Sequence, residues 1–152
     1  EEMQECIDWI LKHSPEPEAE EYAVHDSQGL CGPCKGTEWP DLDQLAELAH
    51  AYDVICSDQT EWIAYRMICD DQNEILSEDE FRARYEGVYD SEADYAEEHY
   101  REGLSRDEIA QMDRAPLSYI DWERVWNCEL HCSGWTAEFS NEAGGYIITR
   151  PA

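Results

Sequence analysis

The chain has 152 residues and carries 37 Asp and Glu against 10 Lys and Arg, so its formal net charge is −27 at pH 7. Apolar residues make up 42% of it, which is enough to bury a core and argues against a disordered chain. So negative a surface repels nucleic acid and anionic lipid, and no apolar run approaches the ~20 residues that span a membrane. The composition therefore predicts a basic protein partner and excludes nucleic-acid binding and membrane insertion.

The amount of charge matches that of DNA over a similar length. Duplex DNA carries one charge per roughly 1.7 Å of axis, so a charge of −27 corresponds to about 46 Å of duplex. A compact chain of this size has a diameter of about 40 Å. Acids concentrated in a stripe would indicate imitation of the DNA backbone, whereas acids on every face would indicate only solubility. Composition leaves both alternatives open.

The first half of the chain reads as three helices separated by irregular segments. Residues 3–12 have the periodicity of an amphipathic helix, 21–25 favour a short strand, and 29–36 form a loop. A second helix opens at Pro40, and a third covers 61–69. The apolar residues expected on the buried faces of the second and third helices are Leu42, Leu45, Leu48, Ala49, Trp62, Ile63, Met67 and Ile68.

Three Ser-x-x-acid signals predict the starts of the next short helices. The pairs are Ser77 with Glu80, Ser91 with Asp94, and Ser105 with Glu108. We expect Phe81 and Tyr85 to lie on the first of these helices. A further helix is predicted over 121–130, with Trp122, Val125 and Trp126 facing inward.

The C-terminal segment changes to β character. Residues 135–140 and 146–149 favour strands, and the Gly-containing residues 141–145 between them suit a hairpin loop. Together, the predicted helices and strands indicate a helix-rich, elongated α+β fold made of small subdomains, with a C-terminal antiparallel hairpin or sheet. The subdomains expected are 1–38 (a helix, a short strand and the Cys31–Cys34 loop), 39–88 (helical) and 89–152 (α+β).

Acidic residues recur between residues 90 and 108 with few cations among them. On a helix, Asp94, Glu97 and Glu98 share one face, and Glu102 extends that face by one turn. Like charges at this spacing each cost a few tenths of a kcal/mol, and a solvated helix face usually alternates Glu with Lys. The pattern therefore favours a function for these acids.

The motif Cys31-Gly32-Pro33-Cys34 resembles the dithiol of thioredoxin-like enzymes. Such a site needs a preceding buried strand and a helix that opens at the first Cys. Here Gly36 and Pro40 follow instead, and the surrounding negative charge disfavours a thiolate. A redox enzyme is thus disfavoured.

A structural zinc site is a second interpretation of the cysteines. Cys31 and Cys34 would supply two ligands, and Cys128 with His131 or Cys132 would supply the others. Such a site would hold the fold together without catalysis, and the alternative is a simple turn. The sequence contains no P-loop, GxSxG, HExxH or dinucleotide motif. We therefore expect neither an enzyme nor a bound cofactor or metal.

Several strings occur in an order that resembles the ArdA antirestriction proteins. They are EEYAVHD at 20–26, DLDQL at 41–45 and YIDWE at 119–123. The order of the larger features also matches that family. These features are an acidic helix containing tyrosine at 90–103, a linker with Leu and Pro, and a closing aromatic hairpin. The resemblance extends over most of the chain and is best toward its C-terminus.

The resemblance implies an inhibitor whose surface carboxylates imitate DNA phosphates and occupy the DNA groove of a type I restriction-modification enzyme. A CRISPR effector complex with its basic channel is an alternative target. The carboxylates expected to meet the partner are Glu61, Asp70, Asp71, Glu74, Asp90, Glu92, Asp94, Glu97, Glu98, Glu102, Asp107, Glu108, Asp121 and Glu123.

The resemblance also implies a homodimer formed through the C-terminal subdomain, with Tyr119, Trp122 and Trp126 as interface candidates. The expected location is the cytoplasm of a bacterial host, with the gene on a phage or another mobile element. Relative to the family pattern the chain starts late, which predicts a reduced N-terminal subdomain. The Cys31–Cys34 loop and the seven cysteines are not expected of the family.

Overall fold

A computed structural model describes residues 2–15, 29–55, 58–113 and 120–151. Within these ranges it has seven α-helices and one three-stranded antiparallel sheet, so the predicted α+β class is confirmed. Contacts divide the chain into two compact units, Glu1–Glu78 and Asp79–Ala152. The sequence-based division into three subdomains stays a prediction. None of the described helices combines the length and apolar character needed to cross a membrane.

The first unit is helical in its described part. It contains α1 (Glu2–Lys12), a 3₁₀ turn (Gly32–Cys34), α2 (Leu42–Ile55) and α3 (Gln59–Gln72). These elements agree with the predicted helices and loop, while the strand expected at 21–25 lies outside the described residues.

Carboxylates set the starts of α2 and α3, as short polar side chains do at helix N-termini. Asp41 Oδ1 accepts a hydrogen bond from the backbone N–H of Asp43 at 2.8 Å. Asp58 Oδ1 accepts one from the N–H of Thr60 at 2.8 Å. α3 ends where Asn73 takes the left-handed conformation, with a φ of 53°.

The core of the first unit follows the predicted apolar stripes only in part. Leu48, Ile63 and Ile68 are buried as expected. Ala49 is exposed, because Ala51 and Ile55 continue the buried face of α2 from Leu48. The other buried residues of this unit include Cys31, Cys34, Ala64, Tyr65, Cys69 and Leu76.

α4 (Glu78–Arg84) starts at the last residue of the first unit and otherwise belongs to the second, where β1 (Tyr85–Tyr89), α5 (Glu92–Glu102) and α6 (Arg106–Met112) follow it. The expectation that Tyr85 lies on a helix is wrong, since it is the first residue of β1. The chain leaves the helix there because residues 85–89 pair with a strand at the C-terminal end of the unit. That pairing is non-local and leaves no signal in the neighbouring sequence.

The rest of the second unit is a helical segment followed by the predicted hairpin. α7 (Trp122–Val125) continues into a π turn (Trp126–Leu130) and a 3₁₀ turn (His131–Ser133). β2 (Thr136–Ser140) and β3 (Gly145–Thr149) then form the hairpin. The predicted helix over 121–130 is therefore present but changes its hydrogen-bonding pattern after Val125.

The sheet has the strand order β1-β3-β2, so the last strand in sequence is the central one. Tyr89 pairs with Tyr146 across the β1–β3 ladder, and Ser140 pairs with Gly145 at the hairpin. A Cβ on Gly145 would lie 2.6 Å from the carbonyl oxygen of Tyr89. Only glycine therefore allows β1 to approach β3 this closely at that position.

The core of the second unit lies between the sheet, α5 and the π turn. Its fully buried members are Tyr95, Ala96, Trp126, Leu130 and Ile148. The Tyr95 hydroxyl donates to Glu86 Oε2 at 3.1 Å. Glu86 also forms an ion pair with Arg150. Burial is the largest of several causes that raise the pKa of Tyr95.

Candidate acidic binding surface

One side of α5 is anchored in the core and the other carries the acids. Ser91 begins the helix, since its hydroxyl accepts from the N–H of Asp94 at 3.1 Å and donates to Asp94 Oδ2 at 2.6 Å. Tyr95 and Ala96 are buried on the inner side. The 3.6-residue period then places the intervening acids outward. The cap predicted from Ser91 and Asp94 is confirmed.

The outward side of α5 forms a shallow open depression of about 540 Å³. Five residues line it, and we call them the α5 acidic face: Asp94, Glu97, Glu98, Arg101 and Glu102. Four carboxylates and one guanidinium thus share a single helix surface. The structure brings together the four acids that the sequence predicted on one face.

Arg101 is the one cation of this face and is already paired twice. Its Nε donates to Glu97 Oε1 at 2.7 Å, and its Nη2 donates to Asp113 Oδ1 at 3.0 Å. These hydrogen bonds, the one to Asp113 first, raise the pKa of Arg101. Glu98 and Glu102 form no hydrogen bond or ion pair with the other described residues and remain exposed.

The sequence analysis identified neither Arg101 as part of this face nor Asp113 as its partner. The spacing of Glu97 and Arg101 by four residues is a recognisable helix pair and could have identified Arg101. Asp113 directly follows α6, and no local pattern indicates that it lies near α5.

α6 continues the acidic segment from a well-defined start. Ser105 Oγ accepts from the N–H of Glu108 at 3.4 Å, and Glu108 Oε2 accepts from the N–H of Ser105 at 2.8 Å. This is the predicted capping box, which is confirmed. The hydrogen bonds from Ser105 lower the pKa of Glu108. Glu108 therefore serves the helix start, while Asp107 beside it is exposed and unpaired among the described residues.

The negative potential of α5 extends to its neighbours. The pKa of Tyr89, on β1, is raised first by burial and then by the charges of Glu98, Glu86 and Glu102. Two carboxylates of the α5 acidic face therefore act on a tyrosine of the adjacent strand. A basic groove presented to this surface would meet the same field.

The remaining sequence-predicted acids fall into two groups. Some have a structural contact: Asp70 accepts from the N–H of Gly32 at 2.8 Å and pairs with Lys35, and Asp121 caps α7 through the N–H of Arg124 at 3.0 Å. Glu61 lies half-buried in the first turn of α3. The remaining acids whose side chains make no hydrogen bond or ion pair with other described residues are Asp71, Glu74, Asp90, Glu92 and Glu123.

The interface candidates differ in their accessibility. Tyr119 lies outside the described residues. Trp126 is 1% exposed and packs inside its own unit. Trp122 is half-buried, and its ring centroid lies 6.2 Å from that of the exposed Tyr100. An interface there stays a prediction, for which Trp122 offers more surface than Trp126.

The four cysteines considered as zinc ligands lie in different surroundings. Cys31 and Cys34 are buried in the first unit, whereas Cys128 and Cys132 are exposed in the second. The Cys132 thiol donates to the carbonyl oxygen of Asn127 at 3.1 Å. Among the residues that the structure describes, no group of three or more His, Cys, Asp or Glu side chains is placed to hold a metal ion.

Comparison with known proteins identifies a family for the chain. The model of a protein family described as antirestriction protein (ArdA) matches residues 1–141. No curated protein and no solved structure matches the chain. The matched part includes the whole of α5 and α6 and ends in the hairpin loop between β2 and β3.

Proposed function

Because the chain belongs to the ArdA family of antirestriction proteins, we propose that it inhibits a type I restriction-modification enzyme by occupying that enzyme's DNA-binding groove. The α5 acidic face is the observation that carries the proposal. Its carboxylates stand in for DNA phosphates, and the partner's lysines and arginines bind them as they would bind DNA. The inhibitor needs no catalytic group for this action.

The spacing of the acids on α5 suits this role. Residues 94 and 102 are two turns apart, which is about 12 Å along a helix axis at a rise of 1.5 Å per residue. Four carboxylates less the positive charge of Arg101 leave three net negative charges over that length, or roughly one per 4 Å. A single DNA strand carries one charge per roughly 3.4 Å. A protein groove that binds along one DNA strand would therefore meet a similar density of negative charge along α5.

The absence of internal partners among the described residues favours binding. Glu98 and Glu102 make no hydrogen bond or ion pair with another residue of the described ranges, so a partner would have no such contact to break there. Contacts to lysine and arginine can then form without loss of an internal one, and each contributes a small increment. We therefore expect the affinity to be distributed over several acids.

The direct test is DNA cleavage by a purified type I enzyme, with this protein titrated at several DNA concentrations. Competition predicts that inhibition weakens as the DNA concentration rises. Inhibition that is independent of DNA concentration would contradict occupation of the groove. If the type I enzyme is not inhibited at large excess, the target in this proposal is wrong, and a CRISPR effector complex would be assayed in the same way.

A matched pair of variants separates the α5 region from overall acidity. The first variant neutralises four exposed acids near α5: Asp90→Asn, Glu98→Gln, Glu102→Gln and Asp107→Asn. The control neutralises four exposed acids outside the predicted set: Asp53→Asn, Glu129→Gln, Glu138→Gln and Glu142→Gln. Both change the net charge equally, so a steep loss of inhibition in the first alone supports the proposal. Equal losses would attribute inhibition to total charge.

A further inference from the structure

Two buried cysteines of the first unit contact each other although they are distant in sequence. Cys31, Cys34 and Cys69 are each 0% exposed. The Cys31 thiol is hydrogen-bonded to the sulfur of Cys69, near the end of α3. The two sulfurs are therefore neighbours within one packed core.

The backbone around Cys31 is held against α3 by contacts other than the thiols. The N–H of Gly32 donates to Asp70 Oδ1 at 2.8 Å, and Lys35 pairs with the same carboxylate. Gly32 has a φ of +55°, and a Cβ there would lie 3.3 Å from the carbonyl oxygen of Cys69. Several independent contacts thus fix the position of Cys31 relative to Cys69.

The second cysteine of the CGPC motif faces different groups. Burial, followed by the charges of Asp41 and Glu47, raises the pKa of Cys34. Asp41 and Glu47 belong to the start of α2 and its first turns. No hydrogen bond joins the sulfurs of Cys34 and Cys31. The two-residue spacing of the CGPC motif therefore does not identify the cysteine that the Cys31 thiol contacts.

We propose that Cys31 and Cys69 form a disulfide that links the 3₁₀ turn to α3 when the protein meets a low-molecular-weight disulfide such as oxidised glutathione. The preformed contact supplies the geometry, since a disulfide needs two cysteines whose sulfurs already lie close and whose backbones are positioned. This inference concerns the first unit and does not depend on the proposed inhibition of a restriction enzyme.

The chemistry is two successive thiol–disulfide exchanges. The hydrogen bond from Cys31 lowers the pKa of Cys69, which makes Cys69 the attacking thiolate. Cys69 sulfur attacks one sulfur of the small disulfide, whose S–S bond breaks and releases one small thiolate. Cys31 then loses its proton and attacks the sulfur of Cys69, releasing the second small thiolate. Two protein thiols are oxidised, and one disulfide is reduced to two thiols that take up the two protons.

Burial controls the rate of this reaction. Both sulfurs are fully covered in the folded unit, so the small disulfide reaches Cys69 only during a local opening that exposes the Cys31–Cys69 pair. Once formed, the bond closes the segment between residues 31 and 69 and restricts the unfolded first unit. The oxidised protein is therefore expected to unfold at a higher temperature than the reduced protein, and a reductant should reverse the change.

The link can be mapped in the wild-type protein. The protein is incubated with oxidised glutathione, free thiols are alkylated, and the chain is digested with trypsin without reduction. Cleavage after Lys and Arg places Cys31 and Cys34 together in peptide 13–35, Cys56 in 36–66 and Cys69 in 67–82. We expect peptide 13–35 joined to 67–82, with fragmentation assigning the bond to Cys31. A bond within 13–35, a bond to 36–66, or no bond at all would overturn the proposal.

Two variants give an independent reading of the same bond. Cys34→Ser should still form the link between 13–35 and 67–82, whereas Cys69→Ser should lose it and lose the oxidation-dependent rise in unfolding temperature. Loss of the link in Cys34→Ser, in a protein whose far-UV circular dichroism is unchanged, would overturn the assignment to Cys31. If a variant fails to fold, the wild-type map still decides between the pairs.

Discussion

The guanidinium of Arg101 donates from Nε to Oε1 of Glu97 at 2.7 Å, one turn earlier on α5. This cation lies within a depression otherwise lined by carboxylates. It therefore reduces the negative potential of the surface proposed to meet a basic groove. The same side chain also donates to Asp113, so it joins α5 to the residue that follows α6. Its removal should affect binding and stability in opposite directions.

Arg101→Gln is expected to strengthen inhibition at low salt, because it makes the α5 acidic face more negative and leaves Glu97 free for a partner. The unfolding temperature should fall slightly, since the contact with Asp113 is lost. The half-inhibitory concentration is measured at low and high salt for this variant. Arg124→Gln, on α7, is the control with the same change in charge. Equal strengthening in both variants would mean that the position of Arg101 has no special role.

Inhibition should weaken steadily as the salt concentration rises. The carboxylates of the inhibitor take the place of DNA phosphates at the partner's lysines and arginines, and binding of this kind releases counterions. A single change such as Glu98→Gln is expected to have little effect on inhibition and to reduce the salt slope by about one. Plots of the logarithm of affinity against the logarithm of salt concentration measure both quantities. Glu138→Gln, on β2, should leave the slope unchanged. Complete loss of inhibition from one neutralisation would refute a distributed surface.

Tyr95 should make the second unit sensitive to alkaline pH. Its pKa is raised in the folded state above the ordinary value of 10.0, so the folded chain holds the proton longer than the unfolded chain. The stabilisation is present below pH 10 and is lost as pH rises further. Denaturant titrations between about pH 8 and 11 should show the unfolding free energy falling at the alkaline end.

Tyr95→Phe tests the origin of that pH dependence. The variant loses the hydrogen bond to Glu86, which should cost about 1.5–3 kcal/mol at neutral pH because the acceptor is charged. It should also lose part of the alkaline decline in stability. An alkaline decline identical to that of the wild type would show that another group titrates.

Gly145→Ala should destabilise the second unit by about 1–3 kcal/mol, because the added Cβ meets backbone that cannot move aside. The nearest atoms would be the carbonyl oxygen of Tyr89 at 2.6 Å and Cγ1 of Val88 at 2.8 Å. Thermal unfolding followed by tryptophan fluorescence measures the effect. Gly103→Ala, whose Cβ would meet only the Tyr100 carbonyl oxygen at 3.8 Å, is the control expected to be near neutral.

Local signals in the sequence predicted most of the helices and the hairpin. The capping box of Ser105 and Glu108 and the loop at 141–145 each depend on residues a few positions apart, so the sequence alone reveals them. β1 could not be found this way. Its partner β3 lies far along the chain, and the helix α4 directly precedes it.

The candidate sites show the same division between local and distant contacts. The shared face of Asp94, Glu98 and Glu102 follows from helix periodicity and was predicted. The contact of Cys31 with Cys69 was not predicted, since the CGPC spacing indicates Cys34 as the partner of Cys31. Helix periodicity applies within one element, whereas the packing of the 3₁₀ turn on α3 brings together residues from two.

The central position of β3 has a consequence for synthesis of the chain. Within the described residues β1 and β2 are both edge strands and pair only with β3, so neither has a described sheet partner until residues 145–149 have left the ribosome. Until then the nascent second unit presents Tyr85–Tyr89 and Thr136–Ser140 as unpaired strands, which are templates for association with other chains. The high negative charge of the nascent chain then keeps neighbouring copies apart during this interval.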